Sequence, residues 1–342
     1  MTNNTLSYDD VLLKPQYSDI ESRTEIDIST DLGNGLVLDV PVISSPMDTV
    51  TEGAMAVALG SYGATGIVHR YNSIEGQARH IGAAKSRGGN INIGAAVGVT
   101  GDYIERATAA CHAGATFLCI DVAHGHHILV KSALHKFREI FGDDIHIMAG
   151  NIATLEGLND LADWGATSVR CNIGGGSICS TRIQTGHGMP GFQTILDCAQ
   201  TDRNIAIVAD GGIKNSGDIV KALAAGADAV MCGSLFAGTT EAPGELFREA
   251  SGEVWKSYRG MASKEAQADW KGKYSSLEGI ASRVPYQGKV GPVLEDLERG
   301  IRSGFSYTGA RTLEDLQAKA EFIQQTTSGL SESHTHILTR NW

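Results

Sequence analysis

The chain has 342 residues, of which 42% are apolar and 20% charged, enough for one large barrel or two ordinary globular domains. Its net charge of −11 leaves no basic excess for a nucleic-acid backbone, though a small anion needs only local N–H groups and one or two cations. No apolar run reaches the roughly 18–20 residues of a membrane span. The first ten residues are polar and lack a signal-peptide pattern. Six cysteines lie far apart with no Cys-x-x-Cys pair, so the expectation is a reduced cytoplasmic protein without a structural zinc.

Residues 1–30 read as an extended arm. After them one pattern recurs. Gly63-Ala64-Thr65, Gly114-Ala115-Thr116, Gly165-Ala166-Thr167 and Gly226-Ala227-Asp228 each follow a helix-like segment and precede a short apolar run. Glycine suits the left-handed residue that ends a helix, and the apolar run suits a strand buried on both faces. The predicted strands are Val40–Ser44, Thr65–Val68, Ile91–Val97, Phe117–Asp121, Ile145–Ala149, Ser168–Cys171, Ile205–Ala209 and Ala229–Cys232. Amphipathic helices fit between them, as at Glu52–Ser61, Tyr103–Ala113, Ile128–Phe141, Leu155–Trp164 and Ser216–Ala225. Eight such units predict an α/β fold, a (β/α)8 TIM barrel over residues 30–310, with a doubly wound open sheet as the alternative. Residues 237–290 interrupt the repeat and read as a lid, followed by a helix at Val293–Arg299, a second helix at Thr312–Gln325 and a polar tail.

Barrel active sites lie at the C-terminal ends of the strands. There the sequence places Ser45-Pro46-Met47-Asp48, His69-Arg70, Asp121-Val122-Ala123, Gly150-Asn151, Asp210-Gly211-Gly212 and Gly233-Ser234. The sixth strand runs into Asn172-Ile173-Gly174-Gly175-Gly176-Ser177-Ile178-Cys179-Ser180-Thr181-Arg182. Cys179 is a candidate nucleophile, and a cation at Arg182 would favour its thiolate; the plainer alternative is a Gly-rich loop with an inert thiol. The turns at Gly211, Gly212, Gly233 and Ser234 follow strands seven and eight, where such barrels bind phosphate, and Asp210 could accept from a ribose. Tight turns with a helix cap are the alternative. Asp121 and Asn151 could hold a second ligand or cap the following helices. His124, His126 and His127 lack a carboxylate at ligand spacing and read as solvated or supporting histidines rather than a metal site. In the lid, Tyr258 and Gly260 could complete the phosphate site. Glu278 is either a general acid/base or a surface carboxylate.

These segments together resemble the IMP dehydrogenase / GMP reductase family. The resemblance rests on Gly174–Arg182, Asp210–Ile213, Met231–Gly238, Tyr258–Met261 and Glu278-Gly279, with Ser7–Val11 and Ser45–Val50 near the start. It implies a purine mononucleotide over the barrel mouth, with Cys179 attacking C2. Ser177, Gly212, Gly233, Ser234 and Tyr258 would hold the phosphate and Asp210 the ribose. Met261, with its neighbours Gly260 and Ala262, would face the base, and Met47 belongs to the same substrate set. Asp121, Val122, Ala123 and Asn151 would line the nicotinamide side. It also implies a homotetramer, and a monovalent cation such as K+ held by Gly174, Gly176 and Cys179.

Four features bear on the branch. Lys85–Asn90 passes straight into the third strand, without the regulatory insert usual in the dehydrogenase. No arginine stands between Met261 and Glu278 to activate a hydrolytic water, and Lys273-Tyr274 stands too close to Glu278 to replace the dehydrogenase's Arg-Tyr pair. Asp121-Val122-Ala123 looks like the reductase. Ser45-Pro46-Met47 and the tail 332–336 look like the dehydrogenase. The expectation is a single-domain GMP reductase that converts GMP to IMP and ammonia with NADPH, Thr181 and Glu278 assisting departure of ammonia. Arg70 is offered for the NADPH 2′-phosphate on charge and position. The alternatives are a dehydrogenase lacking the insert and, remotely, a non-catalytic nucleotide sensor. Two departures from the family pattern stand out: Asn172, commonly glycine, and Gly175, often proline or serine.

Overall fold

A computed structural model describes residues 5–273, 277–333 and 335. Eight parallel strands close into a barrel: Val42–Ser44, Thr65–Val68, Ile93–Val97, Phe117–Asp121, His146–Ile152, Ser168–Cys171, Ala206–Asp210 and Ala229–Cys232. The eighth pairs with the first through Val230 and Val42, so no edge is left open. The (β/α)8 expectation is met and the open sheet is excluded. The second, fourth, sixth and eighth strands have the predicted bounds, and the first, third and seventh shift by one or two residues. The fifth runs three residues further than expected, to Ile152, and so carries Asn151 on the rim.

The repeated glycines act as the sequence implies. Gly63, Gly114, Gly165 and Gly226 have φ of 75°, 105°, 103° and 112°, which a side chain would resist, and each turns a helix end into the next strand. Helix starts are capped by side chains, as Thr154 accepts from Gly157 N–H and Asn215 from Asp218 N–H. Two apolar layers result. One lies between strands and helices; the other fills the barrel with Ile43, Ile67, Phe117, Met148, Val208 and Met231. Leu32, Leu36 and Leu38 of the hairpin Thr30–Asp31/Val37–Leu38 plug the bottom of that inner core.

Four expectations are revised. The arm is not simply extended, because Val11–Leu13 pairs antiparallel with Phe322–Gln324. That pairing also ends the predicted helix 312–325 early, at Lys319, with a strand in place of its last turn. The helix expected at Val293–Arg299 runs from Val290 to Thr308, its apolar face on the barrel helix Ser216–Ala224. The lid is a structured insertion: a three-stranded antiparallel sheet, Leu246–Arg248, Val254–Arg259 and Ala281–Pro285, with a helix at Lys264–Lys271. Tyr274 of the Lys273-Tyr274 pair, and His334 and His336 of the tail, lie outside the described residues. No helix among the described residues is long and apolar enough to cross a membrane.

Candidate active site

The strand ends and the lid enclose a cavity of about 340 Å³ at the C-terminal mouth of the barrel. Every residue singled out above as catalytic, substrate-binding, cofactor-binding or cation-binding lines it, from Met47 and Arg70 on the early strands to Glu278 on the lid. One rim thus collects residues more than 200 positions apart, as strand-end placement requires.

Cys179 sits at the centre. The loop that carries it is zipped to the end of the lid. Ser180 N–H donates to Glu278 O at 3.0 Å, Ile280 N–H donates to Ile178 O at 3.0 Å, and Ser180 Oγ donates to Leu277 O. This short ladder brings Glu278 beside Thr181. Thr181 Oγ1 donates to Glu278 Oε2 at 3.0 Å and lies 3.1 Å from Cys179 Sγ. A threonine hydroxyl has one proton, so with that proton on Glu278 the remaining bond must be donated by the thiol. The result is a thiol–hydroxyl–carboxylate chain facing the cavity. Glu278 is therefore no free surface carboxylate. Arg182 plays a different part from the one expected: its guanidinium donates to Met189 O, and its stem packs over Gly174 and Gly188.

The turns after strands seven and eight form one side of the mouth. Gly211 and Gly212 have φ of 83° and 76° and pack directly under the cysteine loop, an ideal Cβ on Gly212 falling 3.1 Å from Gly175 O. Tyr258 OH lies 3.5 Å from Ser177 Oγ and crowds Gly233, whose added Cβ would meet the phenol oxygen at 2.7 Å. Burial raises the Tyr258 pKa to about 12, partly offset by Ser177, so the phenol keeps its proton and can donate. Met261 Sδ accepts from Asp48 N–H at 3.3 Å, tying the lid to the first strand end.

The opposite side is built of charge. Arg170 is fully buried in the sixth strand and donates to Asp121 Oδ1 at 2.6 Å, with Asp210 Oδ2 at 3.8 Å. Burial opposes the Arg170 charge, but Cys119, Asp121 and Asp210 outweigh it and hold its pKa above the usual value. Burial also raises Asp210, against the pull of Arg170 and of Asn151, whose Nδ2 donates to Asp210 Oδ2 at 2.8 Å. Asn151 also donates to Asn172 O. Neither Asp121 nor Asn151 caps a helix; His127 and Thr154 do that. Arg70 Nη2 donates to Asp121 O at 3.2 Å, and its guanidinium lies 5.6 Å from the Tyr71 ring.

Sequence reasoning missed three contributors. Arg170 looks like part of an ordinary strand; the available signal was an arginine inside an otherwise buried run. Tyr71 stacks on Trp270 of the lid helix, with ring centroids 6.1 Å apart, and nothing local announces that pairing. Arg259 joins Asp48 to Asp269 of the same helix. The histidines have other duties: His126 pairs with Asp160 at 2.8 Å and His127 caps its helix. Among the described residues, no group of three or more His, Cys, Asp or Glu side chains could hold a metal ion.

Comparison with known proteins agrees with this geometry. Residues 5–336 match the IMP dehydrogenase / GMP reductase domain. An inosine-5'-monophosphate dehydrogenase of Borreliella burgdorferi is 36% identical over 98% of both chains. One from Nitrosopumilus maritimus is 32% identical over 97% of this chain and 98% of its own. Among solved structures, a GMP reductase variant of Trypanosoma brucei in complex with guanosine 5'-monophosphate superposes with a TM-score of 0.92 at 29% identity, covering 98% of each chain. The chain therefore belongs to the IMP dehydrogenase / GMP reductase family, oxidoreductases that act on purine nucleotides with a nicotinamide cofactor.

Proposed function

We propose that this chain is a GMP reductase. In this reading Cys179 Sγ attacks C2 of GMP, the C2–N bond breaks and ammonia leaves. The thiol proton passes through Thr181 toward Glu278, the acid positioned to protonate the departing nitrogen. Asp121, Val122, Ala123 and Asn151 would hold NADPH, whose chemistry would be hydride donation to C2; the sulfur would leave as the Cys179 thiolate, which takes a proton from solvent to restore the thiol. Arg70 is the cation offered to its 2′-phosphate. Ser177, Gly212, Gly233, Ser234 and Tyr258 hold the substrate phosphate, Asp210 the ribose, while Gly211, Gly260, Met261, Ala262 and Met47 shape the space for the base.

The observation that carries this reading is the Cys179–Thr181–Glu278 chain together with a lid that has no arginine between Met261 and Glu278. The hydrogen-bonded chain supports a relay to a leaving group, and the stretch lacks the arginine expected as base for a hydrolytic water. Arg259, just outside that stretch, is occupied by Asp48 and Asp269. The alignment with the Nitrosopumilus maritimus protein takes 467 positions against the 342 residues here, which suits a chain without a regulatory insert. A homotetramer, a cytoplasmic location and a K+ site at Gly174, Gly176 and Cys179 belong to the same reading.

The second reading is an IMP dehydrogenase, favoured by the names of the sequence relatives. A coupled assay separates the two. Oxidation of NADPH dependent on GMP, absent in Cys179→Ala, is expected. Reduction of NAD with IMP, and no reaction with GMP, would replace the first reading with the second.

A further inference from the structure

The two departures from the family pattern, Asn172 and Gly175, meet in space. Asn172 follows the sixth strand, and its side chain is buried beneath the cysteine loop at 4% exposure. Its Nδ2 donates to Asp210 O at 2.9 Å and to Gly211 O at 3.3 Å. A Cβ added to Gly175 would lie 2.4 Å from Asn172 Nδ2 and 2.6 Å from its Oδ1, closer than real Cβ contacts come. One added to Gly191 would lie 3.3 Å from the same nitrogen. The carboxamide therefore occupies a slot that exists because position 175 has no side chain. Asn172 also has φ of 157°, a backbone conformation that glycine adopts more readily. An asparagine held there against backbone preference, and bonded to two carbonyls of one turn, has a task.

We propose that Asn172 is a positioning residue that locks the Asp210–Gly212 turn to the cysteine loop, and that Gly175 is its obligate partner. The inference rests on the reading of that turn as the seat of the nucleotide ribose and phosphate. The physical basis is the peptide plane. In a trans peptide the C=O and N–H point in opposite directions, so fixing the Gly211 carbonyl toward Asn172 fixes the direction of the Gly212 N–H. Gly211 and Gly212 both have positive φ and no side chain to hold them, so the turn needs an outside brace. With the amide in place, nucleotide binding does not have to order the turn, which is the advantage of preorganisation.

The test is a set of four variants assayed with GMP and NADPH. Asn172→Leu fills nearly the same space without the donor. It should raise KM for GMP about tenfold, in line with one lost brace in a buried site, while kcat and KM for NADPH change less than about threefold. A role in packing alone would leave KM for GMP within about twofold of the parent, and that result overturns the proposal. Gly175→Ala should raise KM similarly in the parent but have no further effect in Asn172→Gly, because the clash disappears with the side chain. Equal effects of Gly175→Ala in both backgrounds would also overturn it. If the parent does not turn over GMP, the functional reading fails, and the pairing is judged from thermal unfolding of the same proteins. Non-additive melting shifts for Asn172→Gly and Gly175→Ala then support the pairing, and additive shifts reject it.

Discussion

The two sides of the barrel mouth are built by different physics. Above strands seven and eight the surface is mostly backbone: paired glycine turns, two serine hydroxyls and the protonated phenol of Tyr258. Above strands four to six it is charge held by charge, with Arg170 between Asp121 and Asp210 and Asn151 bridging to the cysteine loop. A backbone side can donate to an anion without a buried cation, and it stays in place because glycine permits the close approach. A charged side must keep its ions paired, since an unpaired buried charge costs far more than the pair contributes. The difference predicts that single substitutions damage the charged side by leaving partners stranded, and damage the backbone side chiefly by intruding a side chain.

The largest effect should follow from Arg170→Leu. It leaves Asp121 and Asp210 facing each other near the cavity floor without their cation. Stability should fall by about 3–5 kcal/mol, read by denaturant unfolding, and turnover should fall with it. If Arg170→Leu unfolds like the parent, the charged side is not held together in the way described. A smaller effect is expected at the lid. Trp270→Ala removes the stack on Tyr71 but leaves Arg259 bridging Asp48 and Asp269, so KM should rise only a few-fold, with melting nearly unchanged. A Trp270→Ala enzyme with unaltered KM would show that the salt bridges alone dock the lid.

The smallest effect lies at the other pole and serves as a contrast to both sides. Asp228 lines a polar cleft with Asp31 and Arg138, and burial raises its pKa from 3.8 to about 6. The folded chain keeps a proton there that the unfolded chain releases at lower pH. Stability therefore falls as pH rises from about 4 to 6 and stays lower above that window. Asp228→Asn should remove this loss while still accepting from Ile207 N–H. Melting should rise by about 2–4 °C at pH 8, with no gain at pH 4 and no change in turnover. A gain that is the same at both pH values would show that ionisation of Asp228 is not its source.

The same contrast explains what was legible before the structure. The backbone side was visible because turns of this kind require glycine, and glycine pairs at strand ends can be read one residue at a time. The barrel was visible for the same reason, through the four helix-ending glycines. The charged side was half visible. Asp121, Asn151 and Asp210 stand at strand ends, but Arg170 lies within the sixth strand and joins the site only through strand pairing and barrel closure. The lid was visible as a break in the repeat, while its sheet was not, because its partners lie at Leu246, Val254 and Ala281 across intervening chain. Thr181 and Glu278 are 97 positions apart, and nothing but the ladder between loop and lid places them together. The strand at Phe322–Gln324 was read as helix because its partner, Val11–Leu13, is at the far end of the chain.

The central claim is that the Cys179–Thr181–Glu278 chain drives departure of ammonia. Single-turnover release of ammonia from GMP, without NADPH, tests it most directly. The account predicts one ammonia per active site from the parent protein and a rate lowered about a hundredfold in Glu278→Gln. No ammonia from the parent, or release that Glu278→Gln leaves unchanged, would contradict it.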